Sequence, residues 1–353
     1  MKEIYSKVIQ YRGDHESFGY EQGVEIKNSI MTKNRANQWK VRKQRFSINT
    51  DEAKREITAI SPGVWRELLG LQQALEWSLE DTLKEFGGYR VPYLRSGCSI
   101  ATGEDYLIRN YDYHPKTYEG RYTLFQPSDG GLAAAAPSQR ITGRMDGINE
   151  AGLAMGYNFM NRKKPGPGFI CCMIGRLILE TCETVEDAVA LVKRIPHRHS
   201  FSYIVYDRSG KTAIIEATPR EVAVRSSIRC TNHFEQLVSE NRHHLVDSSR
   251  RMDVLAQHQK ERLPAKQAYT LFNAADQGLF SDLYDSWAGT IHTSVYFPKS
   301  LHAWFTLGPD QDPTVIHFEE WLRGNDLPYQ QLTGMIDTDV PFLHMDDPAD
   351  WFR

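Results

Sequence analysis

Hydrophobic and polar positions follow two different periods along the chain, and the change from one to the other divides it. Over residues 1 to 97 apolar positions recur at helical spacing, with the breakers between segments: Gly19-Tyr20-Glu21-Gln22-Gly23 opens one segment, and Ser61-Pro62-Gly63 separates two more. Ser78 with Asp81 makes a capping-box pattern, and Gly87-Gly88 stops the helix that follows. A helical N-terminal segment is predicted for 1–97. From Cys98 the texture changes to short strands. Gly103-Glu104-Asp105 is a turn cluster between two apolar runs, so a hairpin carries Arg109-Asn110-Tyr111-Asp112 back beside Cys98.

Arg144 to Phe159 reads as two further strands about an Asn149-Glu150-Ala151-Gly152 turn. A helix follows from Thr184, with Asp187 as capping partner, Val185, Ala188, Val189 and Val192 on one face, and Pro196 as its end. Ser202–Asp207 and Thr212–Ala217 form a hairpin, Val222 to Cys230 adds a strand, and Ser248-Ser249-Arg250-Arg251 lies at the start of another helix. Thr290 to Leu307 closes the strand-rich part. Beyond Gly308 the chain is rich in Asp, Pro and aromatic residues, and a peripheral tail is predicted over 309–353. Helices, then strands, then helices, then strands again place the core, 98–308, in the α+β class, with antiparallel sheets between layers of helix.

Composition narrows the function. Charged residues make up 25% of the chain and the net charge is -3, which gives no reason to expect nucleic acid or an anionic membrane as partner. A small-molecule substrate is expected instead. The first residues lack the apolar run of a signal peptide, so a cytoplasmic location is expected. The odd count of five cysteines has no framework spacing and no CxxC pair, so neither a disulfide scaffold nor a cysteine zinc site is expected. No cofactor is called for.

Chemistry concentrates at Gly97-Cys98. Taken alone, Cys98 reads as a small buried hydrophobe. Its neighbours change that reading, because the hairpin brings a guanidinium (Arg109) and a carboxylate (Asp112) to the thiol. Gly97, without a Cβ, is expected to take strained backbone angles that expose its peptide bond to the thiol.

Gly97-Cys98, Arg109-Asn110-Tyr111-Asp112, Asn149-Glu150-Ala151-Gly152-Leu153 with Gly156-Tyr157-Asn158-Phe159, and Thr231-Asn232-His233-Phe234 occur in the order found in N-terminal-nucleophile cysteine hydrolases. The chain resembles the group containing acyl-CoA:6-aminopenicillanic acid acyltransferase, and more distantly the bile salt hydrolases and penicillin V acylases. The long segment ahead of the cysteine favours the acyltransferase group. The resemblance implies a four-layer αββα sandwich and self-cleavage between Gly97 and Cys98, with residues 1–97 retained as the smaller chain. It also implies attack on linear amides or acyl thioesters through a Cys98 acyl-enzyme. Arg109 would favour the thiolate, Asp112 would hold the new α-amine, and Asn232 and Asn158 would form the oxyanion site. Arg250, with Arg251 as its neighbour, would lie near the carboxylate.

Three other readings compete. A papain-like enzyme would draw its base from His114, His233, His243 or His244. A metal site could use the close pairs His197/His199 or His243/His244, which lie in polar runs without an HExxH partner. Last, the chain could stay uncut and serve as a binding protein.

Overall fold

The computed structural model describes residues 1–42, 48–90, 97–160, 164–241, 245–258 and 263–352. Two sheets face one another. The larger runs, in order, through Val222–Arg225, Thr212–Ala217, Phe201–Tyr206, Ala154–Phe159, Asp146–Asn149, Ala134–Gln139, Arg121–Pro127, Lys2–Gly13 and Gln331–Ile336, with the short Gly143–Arg144 strand beside Ala134–Gln139. The smaller runs through Arg229–Cys230, Gly97–Thr102, Leu107–Tyr113, Ala288–Phe297, His302–Leu307 and Thr314–Ile316, with Asp282–Leu283 beside Ala288–Phe297.

The apolar side chains fall into layers that follow from strand alternation. Ile100, Leu107 and Tyr111 of the smaller sheet pack with Ile148, Ala154, Ile204 and Ile214 of the larger, forming the core between them. On the outer face of the larger sheet, Met155, Tyr203, Val205 and Ile215 pack against the helices Cys171–Thr181 and Val185–Arg194. On the outer face of the smaller, Ala101, Ile108 and Val295 pack against Val246–His258 and Ala265–Asn273. The result is the four-layer αββα sandwich of the α+β class. Local signals hold where they were strongest: Thr184 and Asp187 form a reciprocal capping box, and Ser78 caps Leu79–Phe86 through the Asp81 amide.

Two expectations about the ends of the chain need correction. The N-terminal segment is helical over His15–Ile26, Ile30–Arg42, Thr50–Thr58, Pro62–Leu75 and Leu79–Phe86, but it begins with a strand. Lys2–Gly13 pairs in parallel with Arg121–Pro127 and antiparallel with Gln331–Ile336, so it is an inner strand of the larger sheet. The tail is not peripheral either. It supplies that sheet's edge strand, buries Trp321 and Phe342, and binds the N-terminal segment through Asn34, whose Nδ2 donates to the carbonyls of Leu343 and Asp346. The sheet hydrogen bonds of Lys2–Gly13 need partners on both sides, and the first and last stretches of sequence supply each other.

The first and fourth helices cross at contact distance. A Cβ built on Gly70 would lie 2.0 Å from the Glu16 carbonyl oxygen, and one on Gly19 would lie 2.0 Å from that of Glu67. Below the crossing a buried ionic cluster joins these helices to Cys171–Thr181: Arg176 pairs with Glu67 and Glu180, and His15 with Asp129. All five cysteines are free and buried. Among the described residues no helix is long and apolar enough to cross a membrane. Because the clash would be with backbone, Gly70→Ala is expected to destabilise the protein by about 1–3 kcal/mol, measured as a lower urea midpoint for unfolding.

Candidate active site

Gly97–Thr102 and Leu107–Tyr113 pair antiparallel, with Gly97 opposite Asp112, Cys98 opposite Tyr111 and Ile100 opposite Arg109. Alternation then sorts the side chains. Cys98, Arg109 and Tyr111 point between the sheets. Asn110 points to the helical side, where its Nδ2 donates to the carbonyls of Phe272 and Leu279. The thiol and the peptide nitrogen of Cys98 therefore meet different partners.

The sulfur receives a hydrogen bond from Arg109 Nη2 at 3.3 Å. The same nitrogen donates to the Tyr157 carbonyl at 2.6 Å, while Nη1 donates to the Met145 carbonyl at 2.7 Å and to Asp146 Oδ2 at 2.6 Å. The rings of Tyr111 and Tyr157 lie 4.8 and 4.7 Å from the guanidinium carbon. Gly156 leaves the room this stem needs, since a Cβ there would stand 3.1 Å from Arg109 Cδ and 3.0 Å from Ile100 Cδ1. Burial pushes the Cys98 thiol above its ordinary pKa; Arg109 pulls it back and Asp112 adds to the rise.

The peptide nitrogen of Cys98 donates to Asn232 Oδ1 at 2.9 Å. Asn232 is held on every side: its Nδ2 donates to the Phe159 carbonyl, its backbone N–H to Ser248 Oγ, and its Oδ1 also accepts from Arg251 Nη2 at 2.8 Å. Arg251 Nη1 donates to the Cys98 carbonyl at 2.6 Å and to Ser99 Oγ at 2.9 Å, and its Nε to Asp247 at 2.8 Å. Asp112 lies beside Gly97 and accepts from Thr290 Oγ1 at 2.6 Å. Burial pushes its carboxyl up to about 7, against the lowering pull of Arg251 and of the Thr290 hydroxyl.

Cys98, Arg109, Asp112 and Asn232 are thus brought together, while other expectations change. Arg250 is not in the site. It is half-exposed and donates to the Gly278 carbonyl and Asp247, whereas Arg251 shares a buried helix face with Ser248 and Leu255 at i, i+3 and i+7. Asn158, expected at the oxyanion site, has its Nδ2 committed to the carbonyls of Cys230 and Thr231, fixing the strand that leads to Asn232. Asn232 turns its oxygen, not its amide N–H, to Cys98, because an uncut peptide N–H needs an acceptor. A Cβ on Gly97 would meet Asp112 Oδ2 at an ordinary 3.4 Å, so no close approach at this position calls for glycine; the expected strain of its backbone depends on Ser96, which lies outside the described residues.

The described histidines that could serve as a separate base have partners other than Cys98. His233 Nδ1 is bound to Ser248 and Thr231, and His114 Nδ1 accepts from the Lys116 amide. No described imidazole is hydrogen-bonded to Cys98. His197 is bound to the Val192 carbonyl, and no metal-binding group of His, Cys, Asp or Glu occurs among the described residues. His243 and His244 lie outside the described residues. The residues that sequence reasoning missed are Asp146, which holds Arg109, and Ser248, which holds Asn232. The i, i+3 spacing of Ser248 and Arg251 was the available signal for the second.

Comparison with known proteins places this geometry in context. A family model described as acyl-coenzyme A:6-aminopenicillanic acid acyl-transferase matches residues 100–312. Among solved structures, penicillin V acylase from Agrobacterium tumefaciens is 16% identical over 62% of this chain and 84% of its own, with a TM-score of 0.42. A mutant conjugated bile acid hydrolase from Clostridium perfringens is 12% identical over 64% of this chain and 93% of its own, with a TM-score of 0.44. The Caenorhabditis elegans ortholog of N-acylethanolamine-hydrolyzing acid amidase is 12% identical over 57% and 93%, with a TM-score of 0.40. No curated protein matches.

Two substitutions test the assembled site. Arg251→Ala, which leaves buried acceptors without their donor, is expected to cost about 1–3 kcal/mol, while Arg250→Ala should stay within about 0.5 kcal/mol of the wild type; chemical denaturation compares them. The Asp112 carboxyl titrates near 3.8 when unperturbed and near 7 in the fold, so the folded chain binds more protons between those values. Its stabilising contribution is present below about pH 4 and lost as pH rises towards 7. Asp112→Asn removes that loss, and its stability relative to wild type should rise across this window in urea melts at several pH values.

Proposed function

The chain belongs to the acyl-coenzyme A:6-aminopenicillanic acid acyl-transferase family, and from that premise we propose that it is an N-terminal-nucleophile cysteine enzyme. On this reading it cuts itself between Gly97 and Cys98 and then acts on linear amides or acyl thioesters through an acyl-enzyme on Cys98. The observation that carries the proposal is the separate holding of the two ends of one residue: sulfur on Arg109, nitrogen on Asn232. A cysteine that is to serve as both nucleophile and base needs its sulfur and its nitrogen each fixed by its own partners and within reach of one another.

In the self-cleavage step the Cys98 sulfur attacks the Gly97 carbonyl carbon, the peptide C–N bond breaks, and the nitrogen takes the thiol proton. A thioester from Gly97 to the sulfur and a free α-amine result. Water then hydrolyses the thioester, leaving the Gly97 carboxylate and the thiol. During turnover the amine, with a reference pKa of about 7.7–8.0, accepts the thiol proton as sulfur attacks the substrate carbonyl. That proton passes to the leaving amine or thiolate as the substrate bond breaks. The acyl group then goes to water, giving an acid, or to an acceptor amine, giving a new amide.

Arg109 favours the thiolate in these steps. Asp112 and Asn232 Oδ1 accept hydrogen bonds from the α-amine, and Arg251 fixes both the Cys98 carbonyl and Asn232. Residues 1–97 remain with the core after the cut, because Lys2–Gly13 has ladder partners on both edges and Trp65, Leu68, Leu71 and Phe86 are buried against it. The boundaries 1–97, 98–308 and 309–353 then describe processing and chemistry, although the first and last of these stretches share a sheet with the second.

Intact mass under denaturing conditions is expected to give two polypeptides meeting at Gly97/Cys98 for the wild type and one for Cys98→Ala. Native size exclusion should elute the two fragments together. A wild type that stays whole while hydrolysing amides, or fragments that separate without denaturant, would refute the corresponding part.

A further inference from the structure

Arg109 can serve the sulfur only if its guanidinium is held in one orientation, and most of what holds it comes from the opposite sheet. Asp146 supplies the charged contact, 2.6 Å from Nη1, and is fully buried. It is in turn bound by three alternate residues of the Ala288–Phe297 strand: His292 Nε2 and Ser294 Oγ donate to it at 3.2 Å each, and the Tyr296 hydroxyl donates to the same oxygen as Ser294. Ser294 is also the residue opposite Arg109 in the strand pairing. Asp146 thus receives donors from the sheet that carries the nucleophile while standing on the other.

We infer that Asp146 is a positioning residue that, through Arg109, sets how readily the Cys98 thiol ionises. This rests on Cys98 being the nucleophile, but the ionisation itself does not depend on cleavage or turnover. The groups that bear on the sulfur are Arg109 and Asp112 from the neighbouring strand; Asp146 and Tyr157 of the facing sheet bind Arg109, and Arg251 of the helix Val246–His258 binds the Cys98 carbonyl. Around Asp146 stand Arg109, His292 and Tyr296, with Tyr118 and Tyr122 further off. Burial drives His292 below its ordinary pKa against the raising pull of Asp146, whereas the Arg109 guanidinium is the permanent cation paired with that carboxylate. The carboxylate therefore orients the guanidinium and at the same time offsets part of its charge. Neutralising it leaves the guanidinium unbalanced, and the sulfur then ionises more easily.

Thiolate absorbance in the ultraviolet, taken as the difference between each protein and its Cys98→Ala counterpart over a pH series, reads this directly in cut or uncut chain. Asp146→Asn should lower the Cys98 midpoint by about one pH unit. Ser294→Ala deletes one donor to Asp146, concentrates its charge on Arg109, and should raise the midpoint by a few tenths of a unit. A folded Asp146→Asn protein whose midpoint is unchanged or higher overturns the inference. Should that variant fail to fold, Ser294→Ala decides by its sign, and an unchanged or lowered midpoint counts against. Failure of self-cleavage in the wild type would affect the proposed reaction and leave this titration intact.

Discussion

The site depends on a buried ion pair between two sheets. Arg109 reaches from one strand of the smaller sheet, Asp146 from one of the larger, and neither is exposed to water. Burying a guanidinium carries a desolvation cost, and the carboxylate adds to what its hydrogen bonds to the carbonyls of Met145 and Tyr157 offset. With Asp146 in place the charge is balanced, and one N–H remains aimed at the sulfur. The same pair ties the sheets together at the level of Cys98, so the sandwich core and the reach to Cys98 share one contact.

Around that contact the strand geometry sorts functions by face. The thiol looks into the space between the sheets and meets a cation; the peptide nitrogen and carbonyl lie in the plane of the sheet and meet Asn232 and Arg251. Asp112, opposite Gly97, stands next to the residue that precedes Cys98. Helix Val246–His258 then delivers Ser248 and Arg251 from one face onto the Thr231-Asn232 turn. A single residue is held by groups from the neighbouring strand, the Thr231-Asn232 turn and one helix, and no histidine among the described residues is hydrogen-bonded to it.

Much of this was legible in the chain because the signals were local. The hairpin bringing Arg109 and Asp112 back to Cys98, the Asn149–Gly152 turn and the capping box at Thr184 each lie within a few residues, where turn chemistry and period carry the information. What was missed is long-range. Lys2–Gly13 alternates poorly, with Ser6 buried beside Ile4 and Val8, and its strand state is settled by pairing with residues more than a hundred positions away. The tail looked peripheral because its partners are at the opposite end of the sequence. Arg250 and Arg251 cannot be told apart by type, but the helix period separates them. Asp146 sits in a run whose obvious feature is the turn after it, and nothing local marks its link to His292, Ser294 and Tyr296.

The electrostatics of the uncut chain bear on when the chemistry can begin. Burial pushes the Cys98 thiol up and holds the Asp112 carboxyl near 7, so near neutral pH the interior around Gly97-Cys98 carries less charge than its residue types suggest. On the proposed reading, cleavage changes this from within by turning a neutral peptide nitrogen into an amine that can hold a proton beside Asp112. An ammonium there would draw the carboxyl back towards its anionic form, and the carboxylate would in turn favour the protonated amine. On the same reading, attack on a substrate would transfer the thiol proton to that nitrogen, and the same carboxylate would stabilise the state in which sulfur has just become nucleophilic. The charge pair that turnover requires would then be created by the processing step, and the precursor can bury its polar groups without carrying that pair while it folds.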